Sequence, residues 1–215
     1  MEPAKPRGRP LAYTADELLD RLVQAVINLL GEQGADADIS VARIAARAKV
    51  SKKTVYTAIE SKEELIGHVI RRGAQLVTGM LDSPVNSGDA ARGLLRHFLV
   101  EWTERACGPT AVGIFVMAIC ERSRYPAIGA AYQAARHAYG FQKLADWLAH
   151  MDAAGWLTVP DPALRAEFLL TLAVSERQRL LALGLAVPLE EHEQARRIDA
   201  ILALLMPSEK LAKRE

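Results

Sequence analysis

The chain has 215 residues, half of them hydrophobic and a quarter charged, with 14 Gly and 10 Pro. That length buries a sizeable core, and the balance excludes a disordered, collagen-like or low-complexity protein. The formal net charge of +1 carries no sign of a polyanionic partner. The longest charge-free stretch, Ala106 to Cys120, is shorter than the ~20 apolar residues of a membrane span and contains Gly108, Pro109 and Gly113. MEPAKPRGRPLAY at the N-terminus has basic residues but no apolar run behind them, so no secretory signal is expected and the protein is placed in the cytoplasm. Cys107 and Cys120 lack the spacing of a metal knuckle or a disulfide framework and read as free thiols.

From Ala15 to Gln33, Leu18, Leu22, Val26 and Leu29 recur at three and four, the period of an amphipathic helix, and Gly34 ends it. Ser40 can cap a short helix through Arg47 with Val41, Ile44 and Ala45 inward, because its hydroxyl can accept an unpaired first-turn amide. Ala48, Lys49 and Val50 form a turn. Ser51 caps a second short helix, Lys52 to Ala58, with Val55 and Ile59 facing the core. Ser61-Lys62-Glu63-Glu64 has the form of a capping box and starts a fourth helix that runs toward Met80, before the Ser-Pro-Val-Asn-Ser-Gly break at 83–88. Beyond it the same period returns in Leu94, Leu95, Phe98, Leu99 and Trp102, then in Val112, Phe115, Val116 and Ile119 after Gly108-Pro109. A long helix from about 127 to 154 follows Pro126, with Ile128, Tyr132 and Tyr139 on one stripe and Leu144, Leu148 and Met151 on another. Asp161-Pro162 opens a further helix to about Gly184, and the last carries Ile198, Ile201, Leu202 and Leu205 before Pro207. Nothing alternates with period two, so the fold class is all-α with nine helices.

Signatures of catalysis are missing. No phosphate-cradling glycine loop and no nucleophile elbow occurs, and His192-Glu193 starts like a zinc-protease motif whose second ligand position is Arg196. The five histidines have no ligand spacing, so neither metal nor cofactor is expected, and the chain is not expected to be an enzyme. Charge distribution is more informative. Ile39 to Ile59 carries Arg43, Arg47, Lys49, Lys52 and Lys53 with no acid. A one-sign cluster attracts phosphate. It lies on two short helices joined by three residues, the arrangement in which the second helix enters the major groove. Such a reader needs small hydrogen-bonding side chains on its outer side, and Lys52, Lys53, Thr54, Tyr56 and Thr57 supply them.

GRP at 8–10 and ISVARIAARAKVSKKTVYTAIESKEELI at 39–66 resemble the TetR family of bacterial transcriptional regulators. The resemblance implies a nine-helix TetR-like fold: a basic arm at 1–14, a helix-turn-helix DNA-binding domain at 15–60, a connecting helix at 61–83 and a ligand-binding and dimerisation domain at 84–215. It also implies contacts to double-stranded operator DNA from Ser40, Arg43, Lys52, Lys53, Thr54, Tyr56, Thr57 and Lys62, with Ser40, Lys52 and Lys62 on phosphates. Lys49 stands where the family usually has Gly, and Lys53 where a small residue is common. By the same resemblance the last two helices would form a homodimer interface through Leu164, Phe168, Leu172, Ile198, Leu202 and Leu205. Phe98, Trp102, Phe115, Met117, Cys120, Tyr132 and Tyr139 would line a cavity for a small hydrophobic or aromatic effector, or pack as plain core. The function expected is a repressor released from its operator by that effector. Two other readings stay open: an all-helical small-molecule-binding protein or enzyme with a degenerate helix-turn-helix, and a dimeric regulator with a dry core and no effector.

Overall fold

The computed structural model describes residues 13–207, so most of the expected basic arm lies outside the described residues. Every regular element among them is helical: α1 (Ala15–Gln33), α2 (Val41–Ala48), α3 (Lys52–Val55), α4 (Lys62–Thr78), α5 (Gly88–Cys107) and α6 (Pro109–Cys120). An unbroken run follows, here α7, from Pro126–Arg136 through π-helical His137–Gln142 to Lys143–Ala153. Then come α8 (Pro162–Ala182) and α9 (Glu191–Leu205), giving nine helices among the described residues. Single 3₁₀ turns at Gly34–Asp36 and Gly79–Asp82 extend α1 and α4.

The helix starts follow their caps. Ser40, Ser51 and Asp161 each accept the amide three residues on. The reciprocal capping box belongs to α1, where Thr14 and Glu17 exchange bonds of 2.8 and 3.2 Å. At α4 only half a box forms: Ser61 accepts the Glu64 amide, but the Glu64 carboxylate reaches past it to the amide of Glu60 at 2.7 Å. Helix α3 is shorter than the expected Lys52 to Ala58. The amides of Thr57 and Ala58 reach back only three residues, to Thr54 and Val55, and the Thr57 hydroxyl donates to the same Thr54 carbonyl at 2.6 Å, so the segment tightens into a turn.

Two apolar cores result. In the first, Leu22, Val26 and Leu30 of α1 meet Ile44 of α2, Val55 of α3, Ile59, and Leu65, Ile66 and Val69 of α4. Burying one such side chain contributes about 1.5–3 kcal/mol. This core continues into Ile114 and Met117 of α6 and Ile128 of α7, so a boundary at residue 60 does not coincide with a packing boundary. The second core joins Phe98 and Leu99 of α5, Leu144 and Leu148 of α7, Leu169 and Leu170 of α8, and Ile198 of α9. Helix α4 belongs to both, through Val69 to the first and Val77 to the second. Helix α6 rests directly on the end of α1 at Gly113, where a Cβ would lie 2.7 Å from Leu30 Cδ2 and 2.9 Å from the Gly34 carbonyl oxygen.

Candidate nucleic-acid interface and regulatory cavity

The DNA-facing unit is made of α2, the turn and α3. Ser51 Oγ accepts the Thr54 amide at 3.0 Å and shares a 2.8 Å hydrogen bond with Thr54 Oγ1, which locks the start of α3. Val55 is fully buried while Lys52, Lys53, Tyr56 and Thr57 are exposed, Tyr56 to 58%. That exposure leaves the Tyr56 ring available to a groove. Arg43, Lys49, Lys52 and Lys53 have no carboxylate partner among the described residues, whereas Arg47 is paired with Glu32 of α1. Four free cations therefore remain on the short segment where phosphate would lie. Ser40 accepts the Arg43 amide at 3.4 Å and is itself held by Asp38, so its hydroxyl serves the helix first. Lys49 takes the left-handed conformation, φ 57 and ψ 42, which explains why glycine suits this position.

Lys62 departs from the expected phosphate contact. Its side chain is only 11% exposed, with the ammonium 3.2 and 3.4 Å from the Glu121 carboxylate oxygens and 4.6 Å over the Tyr125 ring. It ties the first turn of α4 to the end of α6. A lysine beside a helix start looks the same in sequence whichever partner it finds.

A cavity of about 320 Å³ lies where the two cores meet. Its walls come from α4 (Val69, Ile70, Gly73, Ala74, Val77), Ile27 of α1, the end of α5, the start of α6, and Val174 and Gln178 of α8. Of the seven residues assigned to an effector site, only Trp102 and Tyr132 line it. Phe98 is fully buried behind Trp102, with ring centroids 5.8 Å apart, and Phe115 backs Tyr132 at 5.9 Å. Met117 belongs to the first core, Cys120 is exposed at the end of α6, and Tyr139 is not among the lining residues. The missed wall had a signal: Gly73-Ala74 between bulky apolar pairs leaves space, and Gln178 sits in an apolar stripe four residues after Val174. Gln178 is 7% exposed; its Oε1 accepts from the Tyr132 hydroxyl at 3.0 Å and its Nε2 donates to the Ala106 carbonyl at 2.6 Å. Burial raises the Tyr132 pKa, and the bond to Gln178 opposes this only in part.

On the outer surface, Leu164, Phe168 and Leu172 are each more than 40% exposed and recur every four residues along α8. Helix α9 behaves differently from expectation. Ile198 is fully buried, and Leu202 and Leu205 pack against the second core, so the exposed apolar side of α9 is marked by Leu204 at 72%. The charges at Glu176 and Arg179 pair with each other on the surface.

Residues 22–69 match the family model of bacterial regulatory proteins, tetR family, and residues 93–207 match the C-terminal domain of AefR-like transcriptional repressors. The chain belongs to the TetR family of transcriptional regulators. Solved structures share the fold. A TetR-family regulator of Mesorhizobium loti superposes with a TM-score of 0.70 at 20% identity, covering 89% of this regulator and 98% of that chain. The flavonoid-responsive regulator FrrA gives 0.60 at 27% identity, with coverages of 89% and 98%. RolR in complex with resorcinol gives 0.58 at 19%, with coverages of 94% and 95%. No curated protein matches the regulator. It is thus a DNA-binding transcriptional regulator with an N-terminal helix-turn-helix, and no helix among its described residues is long and apolar enough to cross a membrane.

Proposed function

We propose that the regulator is a homodimeric repressor that leaves its operator when a small aromatic molecule enters the cavity. The observation that carries this is the composition of the cavity wall: one ligand there touches α1 and α4, which hold the DNA-reading unit, and α5, α6 and α8, which hold the second core. An effector acts only by binding better to one arrangement of these parts than to the other. FrrA, flavonoid-responsive, and RolR, solved with resorcinol, support an aromatic effector. The match of residues 22–69 to the DNA-binding model counts against a degenerate helix-turn-helix. Binding alone, in the cytoplasm and without catalysis, accounts for the activity.

On the DNA, Arg43, Lys52, Lys53, Thr54, Tyr56 and Thr57 make the contacts, with Ser40 at the phosphate end of α2. One such unit reads half a site, and two must stand about 34 Å apart to read a pseudo-palindrome. The exposed α8 stripe with Leu204 provides the face that pairs the copies. Sedimentation and operator binding by Phe168→Asp test this: monomers with intact helical content and weakened operator binding are expected, and a variant that remains dimeric moves the interface elsewhere. Tyr56→Ala must weaken operator binding more than binding to unrelated DNA, or the reading of α3 is wrong.

A further inference from the structure

We infer that the cavity takes an aromatic acid of about two rings, its carboxylate received by Arg136 and Arg105. This rests on the cavity being the effector site. Size comes first. Its volume of about 320 Å³ is about twice the ~150 Å³ that accommodates benzene in an engineered apolar cavity. With Trp102 and Tyr132 in the wall, a flat ligand of two fused rings finds ring faces on which to lie.

Charge comes second. Arg72, Arg105 and Arg136 line the cavity, and no Asp or Glu does. Arg72 is already committed to Asp20 of α1 at 2.5 Å. Arg105 and Arg136 have no carboxylate partner among the described residues. Arg136 is half-buried and stacked on Phe141, 4.7 Å from the ring centroid, which holds its guanidinium in place beside Tyr132. Arg136, half-buried against an apolar wall, attracts an anion more strongly than it would in open water, and the exposed Arg105 adds a second, more solvent-screened charge to the same lining.

The neutral polar groups point the same way. Tyr132 and Gln178 are bonded to each other, and Gln178 also holds the Ala106 carbonyl. A neutral polar ligand would have to compete with those bonds. A carboxylate needs only the two arginines, and their fork geometry suits it. Helix α6 starts on the same wall at Pro109 without a side-chain cap, so its dipole adds the same sign of field.

The test compares 2-naphthoate with 2-naphthamide, which share shape and differ in charge, by calorimetry on the full-length dimer at neutral pH. Naphthoate is expected to bind about tenfold more tightly, the size of a charge-assisted over a neutral hydrogen bond. Arg136→Gln should remove that preference and leave naphthamide affinity unchanged; Arg136→Lys should restore part of it, and Arg72→Gln should leave it intact. Operator affinity without ligand reports that each variant is folded. Equal or tighter binding of the amide overturns the anion assignment while leaving the cavity as an aromatic site. Loss of all binding in Ala74→Trp, which fills the cavity, locates the ligand there. Binding that survives Ala74→Trp, or binding of neither compound to the wild type, overturns the cavity reading together with the inference.

Discussion

The contact between Lys62 and Glu121 gives the sharpest quantitative expectation. Replacing Glu121 by Gln keeps the shape and removes the charge, leaving an ammonium that is 11% exposed beside an amide, with the Tyr125 ring 4.6 Å away. Exposed ion pairs contribute about 0.2–1 kcal/mol, and breaking a fully buried one costs about 3–5 kcal/mol. Lys62 is nearly covered but the Glu121 side chain is 36% exposed, so the loss lies between these limits, at about 1–2 kcal/mol. For a chain of this size that is about 3–6 °C in melting temperature, measured at fixed protein concentration because the proposed dimerisation would also shift it. A double-mutant cycle with Lys62→Met should return a coupling of about 1 kcal/mol. DNA binding supplies the second readout. Lys62→Met should leave the salt slope of operator binding unchanged, whereas Lys52→Ala should flatten it by about one ion. A coupling below about 0.3 kcal/mol, or a slope that flattens equally in Lys62→Met, would refute the claim that α6 and not phosphate holds this side chain.

Lys49→Gly relieves a left-handed backbone that costs about 1–2 kcal/mol against roughly 0.5–1 kcal/mol of glycine entropy, so a gain of about 0.5–1 kcal/mol is expected. A thermal melt beside Lys49→Ala, which loses the charge and keeps the strain, checks it; equal melting temperatures would contradict it. Gly140→Ala would place a Cβ 2.8 Å from the Trp102 ring carbons, so the indole must move. Changed tryptophan emission and weaker naphthoate binding should accompany a destabilisation of about 1–3 kcal/mol, and unaltered emission would show that the ring has room. Burial pushes the Cys107 thiol up to about 11, and only the thiolate is nucleophilic, so about one molecule in a thousand is reactive at pH 8. Iodoacetamide followed by mass spectrometry should label exposed Cys120 first, with Cys107 following as pH rises; equal rates at pH 8 would count against the burial.

Helix α1 was legible because its three-and-four stripe and its terminal glycine point to the same limits, 15 and 33. The exposed side chains of α3 were legible for a related reason: one turn with Val55 inward leaves Lys52, Lys53 and Tyr56 outside. Periodicity told less about α9. An apolar stripe says that Ile198, Leu202 and Leu205 avoid water, but it is silent on whether their own chain or a second copy covers them; here their own chain covers Ile198 fully and Leu202 and Leu205 in part. Lys62 was illegible because its partner lies 59 residues away. The cavity was misread because large aromatics fill space in a close-packed interior, while the opening is framed by Gly73 and Ala74, which do not.

The π-helical residues of α7 bear on which changes of length the chain can accept. Ala135 and Leu144, nine positions apart, both face the interior. Nine residues of ordinary α-helix make about two and a half turns and would leave them on opposite sides. The wider turn absorbs about one residue, roughly 100° of rotation, which brings both within a single broad apolar face. Deleting one residue anywhere else in α7 would swing everything beyond it by that angle and turn Leu148 or Ile128 toward water. Within 137–142 the same deletion would convert the segment to regular helix and leave the direction of Leu144, Leu148 and Met151 nearly unchanged. This stretch is therefore where related chains can differ by one residue and keep the fold, and where such a difference would redraw the seat of Trp102 and, with it, the choice of ligand.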